Sequence, residues 1–245
     1  MPSLIDWWVM YFLYFIFAMI ILGIIRKGFE ALGLTSREIS LIFFFSLILS
    51  FMYFPIAYVK GVYISISIGG AVIPLGITWH LLRTKRVLAS ELLPIFVIAT
   101  ITSYFTTEVT EMGIVSYFPL YLIPPLITGF LSYFSSVNTG KPVPPLAYSA
   151  QTLGAIIGAD LLHLPEILSL ELPPNTNLVI GGAGVFYMIY IGGLFAALFS
   201  VGAARALRHM EAEMEGFSIR TRDITKTADT FIDYERELEK RILGK

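Results

Sequence analysis

The chain lacks cysteine and has few charged residues. Of its 245 residues, 17 are Lys or Arg and 18 are Asp or Glu, so that 14% are charged while 56% are hydrophobic. A soluble domain of this size normally has about 25% charged residues. The absence of cysteine excludes disulfides, thiolate metal sites and cysteine nucleophiles. This composition predicts an integral membrane protein, with the lipid bilayer as its first partner.

Side-chain amides and net charge are also scarce. Asn occurs three times and Gln once, a depletion that is typical of thermophile proteins and also of lipid-facing sequence. The formal net charge is −1, which provides no basic field for nucleic acid, so no nucleic-acid partner is expected. Nine basic and nine acidic residues lie between Arg205 and Lys245. The charge distribution therefore predicts a transmembrane domain over residues 1–204 and a charged tail over 205–245.

Long apolar runs predict an all-α, polytopic fold with about seven transmembrane helices. Lys and Arg are concentrated after the first, third and fifth runs and in the tail, which predicts an outside N-terminus and a cytoplasmic C-terminus. The expected location is the cell membrane, as a multi-pass protein. The predicted spans lie near residues 7–25, 39–59, 62–82, 87–105, 114–134, 145–164 and 178–203.

The tail contains a second periodic segment. Thr230–Leu243 places Phe231, Tyr234 and Leu238 on one helical face and charged residues on the other. This pattern predicts an amphipathic helix, which would lie on the membrane, fold onto the inner loops or bind a cytoplasmic protein partner.

A glycine-containing tetrapeptide occurs twice. Ile-Gly-Gly-Ala is found at 68–71 and again at 180–183, which places Gly69 and Gly70 in one predicted span and Gly181 and Gly182 in another. Glycine pairs in membrane helices indicate either very close helix packing or a broken helix that lines a binding cavity. Both explanations are open at the level of the sequence.

Asp160 and His163 are ionisable residues in the sixth predicted span, and such residues are functional candidates by default. They are three residues apart and would share a helical face. The alternative is that Asp160 reaches the outer interface or satisfies backbone groups near Gly181 and Gly182.

A second acidic pair, Glu108 and Glu111, lies one helical turn apart between the fourth and fifth predicted spans. With Asp160, Glu166 and Glu171 it would make the outer face acidic, and an acidic mouth attracts cations. The alternative is an ordinary solvated loop.

Motifs of soluble enzymes are absent from the sequence. It contains no phosphate-binding Gly-Lys-Ser/Thr loop, no Gly-x-Ser-x-Gly elbow and no His-Glu-x-x-His pair. We therefore expect no cofactor and no catalytic metal, and we favour a protein that is not an enzyme.

Three segments, residues 68–75, 158–161 and 180–186, resemble a family of membrane proteins, domain-of-unknown-function family 1614. The resemblance covers about residues 35–205 and implies membrane location and fold, without an activity. It also implies an aspartate where this chain has Tyr187, and the family pattern is loosely similar to presenilin-type aspartyl proteases. Because a phenol has a pKa of about 10, Tyr187 would not serve as the base of such a pair at neutral pH.

The leading hypothesis is a membrane protein that binds or moves a small solute or cation through a polar cleft open to the outside. The expected ligand-binding residues are Asp160, His163, Gly69, Gly70, Gly181, Gly182, Glu108, Glu111 and Tyr187. The alternatives are an aspartyl-protease-like enzyme and a structural or assembly subunit whose tail binds a partner.

Overall fold

The structure, a computed structural model, describes residues 4–110, 113–137, 140–182 and 188–242. Side chains are described in these ranges except for residues 4–9, 17, 137 and 216–242. The chain divides into two compact units, Met1–Ala203 and Ala204–Lys245. The site residues discussed below all lie in the first unit.

The described chain is mostly helical, and seven of its helices have eleven residues or more, as many as the sequence predicts. Two π-helical turns, Ile68–Val72 and Ile156–Leu161, adjoin α3 and α6 respectively, and Leu120–Leu122 forms a 3₁₀ turn before α5. The α-helices are α1 (Leu4–Ala31), α2 (Ser36–Leu49), α3 (Ile73–Arg83), α4 (Ala89–Phe105), α5 (Ile123–Val137), α6 (Val143–Ala155), α7 (Leu164–Ile167) and α8 (Met188–Ile242).

Five short strands accompany the helices. One sheet has the order β1-β2-β5, in which β1 (Tyr53–Val59) is antiparallel to β2 (Val62–Ser67) and β5 (Asn177–Ile180) is parallel to β2. A separate hairpin pairs β3 (Glu108–Thr110) with β4 (Gly113–Val115). The parallel pairing of β2 and β5 brings Gly69-Gly70 and Gly181-Gly182, which come just after these strands, to the same edge of the sheet.

The prediction of an all-α fold is wrong at these strands. The predicted helices over 39–59 and 62–82 are instead a helix, a β-hairpin, a π-helical turn and a second helix. Lys60 and Gly61 have φ values of 51° and 83°, the backbone of a two-residue hairpin turn. The alternating Val62–Ser67 segment then forms β2 because β-branched residues in alternation favour a strand.

Two helical segments are long and apolar enough to cross a membrane, Met10–Ala31 and Met188–Glu215. Two further apolar segments, Ala89–Phe105 and Leu120–Ser136, are shorter than about 20 residues, the length that crosses the hydrocarbon of a bilayer. The long segments agree with the predicted membrane character of the chain.

Helix α6 lies at the centre of the first unit, where residues 145–152 are all buried. A Cβ atom at Gly154 would lie 2.5 Å from the Cβ of Ala99, and one at Gly158 would overlap the carbonyl oxygen of Thr100. The later glycine meets the later residue of α4, so α4 runs parallel to α6 and the π-helical turn that follows it, at close range. This packing fixes the π-helical turn 156–161 beside the C-terminal end of α4.

Helix α2 begins with a capping box. The Thr35 hydroxyl accepts the Glu38 N–H at 3.4 Å, and Glu38 Oε2 accepts the Thr35 N–H at 2.7 Å. The hydrogen bonds from the Thr35 backbone and hydroxyl lower the pKa of Glu38. The charged carboxylate therefore supports the start of α2 at neutral pH, and this support decreases as the pH falls.

Candidate functional site

The first glycine pair lies in the π-helical turn Ile68–Val72. Ser67 ends β2, and its hydroxyl accepts the Gly70 N–H at 3.1 Å. Gly69 faces α2 so closely that an added Cβ would overlap the Ser46 carbonyl oxygen and lie 2.5 Å from the Ser50 nitrogen. π-Helical turns are often found at functional sites. At Gly69, however, the immediate role of glycine is close backbone packing.

The second glycine pair follows β5 and contacts the first. Gly181 has a φ of +71°, and a Cβ added there would lie 2.9 Å from the carbonyl carbon of Gly70 and 2.9 Å from the Cβ of Ala71. Glycine is therefore required at position 181 both by its conformation and by its neighbours. Gly182 donates its N–H to the Val179 carbonyl at 3.0 Å and closes the turn after the strand.

Asp160 connects this pair of turns to the second π-helical turn. Its side chain is buried, with 4% of the residue exposed, and its Oδ2 accepts the Gly181 N–H at 3.0 Å. The structure thus brings together three of the predicted site residues, Gly70, Asp160 and Gly181. The Asp160 carboxylate satisfies a backbone donor that the end of β5 leaves in the interior.

His163 contacts a different set of residues, although it is only three positions from Asp160. Its Nε2 lies 3.0 Å from the Thr107 Oγ1 and 3.2 Å from the Tyr104 carbonyl oxygen, and its Nδ1 lies 3.1 Å from Glu166 Oε2. The ring stacks on Tyr104 with 4.5 Å between centroids. His163 is 5% exposed, so these contacts lie in the interior. They join the start of α7 to the C-terminal end of α4.

A cavity of about 490 Å³ adjoins Thr107. Its volume lies in the range of small-molecule sites. The polar side chains in its wall are Thr107, Ser116 and Tyr121, and the part of the chain that the structure describes contributes no charged side chain to it. Most of the wall is apolar and comes from α1 (Ile20, Ile21, Ile24, Ile25) and α8 (Met188, Ile191, Phe195).

The remaining predicted site residues do not join these clusters in the described structure. Glu108 is exposed on β3, while Glu111 and Tyr187 lie outside the described residues. Within residues 4–110, 113–137, 140–182 and 188–242, no three His, Asp or Glu side chains are grouped as metal ligands.

Sequence reasoning missed the partners of His163. Tyr104 and Thr107 are 59 and 56 residues away from it, and nothing in the local pattern links the end of α4 to α7. Glu166 is within one helical turn of His163, and this spacing was a usable signal. Sequence reasoning also missed the cavity. Two of its polar wall residues, Ser116 and Tyr121, lie in a segment whose hydropathy predicted the start of a transmembrane helix.

Comparison with known proteins gives a single family. The model of DUF1614, described as a protein of unknown function, matches residues 16–199. No curated protein and no solved structure matches the chain. The match covers well over half of the sequence and includes both Ile-Gly-Gly-Ala segments and Asp160, which confirms the predicted resemblance. The chain belongs to the DUF1614 family.

Proposed function

We propose that this chain is a multi-pass protein of the cell membrane that binds a small, uncharged and mainly apolar solute in the cavity beside Thr107. The apolar segments of α1 and α8 support the membrane location. The alternation of loops that are rich in Lys and Arg with loops that have almost none supports an outside N-terminus and a cytoplasmic C-terminus.

The observation that carries the proposal is the composition of the cavity wall. A mainly apolar pocket of about 490 Å³ favours a solute with an apolar body. The hydroxyls of Thr107 and Ser116 and the phenol of Tyr121 supply hydrogen-bonding groups at one part of the wall. Such a site would orient a molecule that has one polar group.

A cation is a weaker candidate than a neutral solute. The Asp160 carboxylate, which the sequence suggests as the charged contact, accepts the Gly181 N–H. The cavity wall, over the residues that the structure describes, has no carboxylate to offset the charge of a cation. Removing a cation from water without such compensation is costly. An aspartyl-protease activity has no comparable observation in its favour.

Filling the cavity from α1 is the most direct test. We expect Ile24→Trp to weaken the binding of 2-naphthol about tenfold, because the indole would occupy volume that the probe needs. The measurement is titration of the full chain in lipid nanodiscs, monitored by probe fluorescence. Leu13→Trp is the matched control, since Leu13 lies on the same helix, is 60% exposed and is not in the cavity wall. Equal affinity for both variants would contradict the proposal.

The polar contact is tested separately at Thr107. Thr107→Val preserves side-chain shape and removes the hydroxyl, so we expect 2-naphthol to bind about fivefold more weakly, while naphthalene binds as before. A lost neutral hydrogen bond of about 1 kcal/mol corresponds to this factor. Thr102→Val is the control, because Thr102 is not in the cavity wall. Its hydroxyl donates to the Ile98 carbonyl, at a distance of 2.9 Å. A parallel loss for naphthalene would indicate a change of cavity shape and argue against the hydroxyl contact.

A further inference from the structure

A second cavity, smaller than the first, lies between α1 and α2, and we call it the α1–α2 groove. Its volume is about 220 Å³. Its polar wall residues are Arg26, Ser36 and Ser40, and its apolar wall residues are Leu22, Ile25, Ile39 and Phe43. A wall that combines a guanidinium and hydroxyls with apolar side chains fits an amphipathic anion, which has a negatively charged head and an apolar body.

The polar and apolar residues of the groove are separated along the two helices. Helices α1 and α2 are joined by residues 32–35 alone, and helices with so short a connection run antiparallel. On α1, Leu22 lies one turn farther from this connection than Arg26 does. On α2, Phe43 lies about two turns farther from it than Ser36 does. The groove is therefore polar at the end next to the connection and apolar at the other end.

Arg26 lies where the apolar run of α1 ends. Residues 7–25 include no charged side chain, and this run is close to the length of about 20 residues that crosses the hydrocarbon of a bilayer. In a membrane, Arg26 would lie at the level of the lipid headgroups and Leu22 among the acyl chains. With the topology proposed above, the polar end of the groove faces the headgroups of the cytoplasmic leaflet.

The polar end has hydrogen-bond donors that a phosphate could use. Arg26 Nε donates to Glu30 Oε1 at 2.9 Å, and none of the described residues accepts from the Nη atoms of the same guanidinium. The Ser36 hydroxyl donates to no described residue, while the Ser40 hydroxyl donates to the Ser36 carbonyl at 3.0 Å. Guanidinium groups form strong, often bidentate, hydrogen bonds with phosphate oxygens.

The surroundings of the groove carry an excess of positive charge. Residues 26–38 include three basic and two acidic side chains, and residues 83–86 include three further basic ones. The second segment lies against the first, because Arg86 Nη1 donates to the Leu32 carbonyl at 2.9 Å and to the Gly33 carbonyl at 3.3 Å. Basic clusters at the cytoplasmic ends of membrane helices favour anionic headgroups over zwitterionic ones.

We propose that the α1–α2 groove binds one anionic phospholipid of the cytoplasmic leaflet. Its phosphate accepts hydrogen bonds from Arg26 and Ser36, and the start of an acyl chain packs on Leu22 and Phe43. The groove is smaller than a whole phospholipid, so the rest of the chains lies in the bilayer. A lipid in this place contacts both helices and stabilises their packing.

The test measures lipid binding to the delipidated full chain in detergent by native mass spectrometry. The probes are palmitoyl-oleoyl phosphatidylglycerol, which is anionic, and palmitoyl-oleoyl phosphatidylcholine, which is zwitterionic. We expect the wild type to bind its first phosphatidylglycerol about fivefold more tightly, the factor that corresponds to one basic residue near an anionic surface. Arg26→Gln should abolish this preference. Arg37→Gln is the matched control and should retain it, because Arg37 is exposed on α2 and is not in the groove wall.

A second pair of variants tests the groove without a change of charge. Ser40→Leu fills the groove, so it should bind less phosphatidylglycerol than the wild type even if Arg26→Gln does not fold. Leu41→Phe is its control and should bind as the wild type does, since Leu41 is 56% exposed and is not in the groove wall. Equal binding by these two variants would contradict the proposal.

Three other results would also overturn the proposal. Equal loss of preference in Arg26→Gln and Arg37→Gln would indicate attraction to the basic surface as a whole. Wild-type protein that binds both lipids equally, or neither, would exclude an anionic-lipid site. Inorganic phosphate in large excess should leave phosphatidylglycerol bound, because it has no apolar part for the deep end of the groove. Displacement of the lipid by phosphate would instead indicate a site for a soluble anion.

Discussion

Gly69→Ala is expected to leave little folded protein, because the added methyl group has no space. It would overlap the Ser46 carbonyl oxygen and lie 2.5 Å from the Ser50 nitrogen. Both are backbone atoms, in α2 and at its C-cap, that no rotamer change can move away. Overpacking of a rigid site costs about 3 kcal/mol. This is a large part of the total stability of a domain, which is about 5–15 kcal/mol.

The surroundings of Gly69 increase this cost. The Ser50 hydroxyl donates to the Ser46 carbonyl, and the Tyr190 hydroxyl donates to the Ser46 hydroxyl at 3.0 Å. A shift of α2 that relieved the overlap would therefore disturb a bond to α8 as well. The effect would reach the core around Tyr190, which packs edge-to-face on Phe29 of α1.

The matched control is Gly76→Ala in the adjoining helix α3. A Cβ at Gly76 meets no atom within 4 Å, so alanine should be neutral or stabilise the helix by up to about 1 kcal/mol. The measurement is the yield of monodisperse protein on size exclusion, followed by thermal melting of both variants. If Gly69→Ala melts within a degree or two of Gly76→Ala, the close contact between the π-helical turn and α2 is wrong.

Much of the first unit could be predicted from the sequence. The scarcity of charge indicated a membrane protein, and the number of long helices and the family were predicted correctly. The repeated Ile-Gly-Gly-Ala segment marked a real contact, since Gly70 and Gly181 lie against each other. It could be found because close backbone approach demands glycine, and glycine is visible in the sequence whatever the fold.

The strands and the second cluster were missed for separate physical reasons. A window of mean hydropathy treats an apolar strand and an apolar helix alike, so residues 53–67 were assigned to helices although Lys60-Gly61 has the form of a hairpin turn. The contact of Thr107 with His163 joins the end of α4 to a residue 56 positions later. Such a contact follows from the parallel packing of α4 and α6, which hydropathy does not determine.

The sequence singles out Asp160 as a ligand-binding candidate, and its place in the structure gives a specific expectation for its role in stability. Because its Oδ2 accepts the Gly181 N–H in the interior, Asp160→Ala would leave that donor without this acceptor. The loss of a buried hydrogen bond to a charged group costs about 2 kcal/mol. Asp160→Asn retains an oxygen at the same position, so we expect it to lose less than half as much stability.

The two variants distinguish a structural carboxylate from a ligand contact. Thermal melting of the detergent-purified proteins should give the highest melting temperature for the wild type, a lower one for Asp160→Asn and the lowest for Asp160→Ala. Glu171→Ala, which removes an exposed carboxylate, should match the wild type. Because 2-naphthol is placed against Thr107, Asp160→Asn should also retain its affinity for this probe. If Asn were as damaging as Ala, the negative charge itself would be required.

If a particular cation also stabilised the wild type but not Asp160→Asn, Asp160 would be a cation ligand, since a ligand that binds the native state raises its melting temperature. A purely structural role for Asp160 predicts that no cation separates the two proteins.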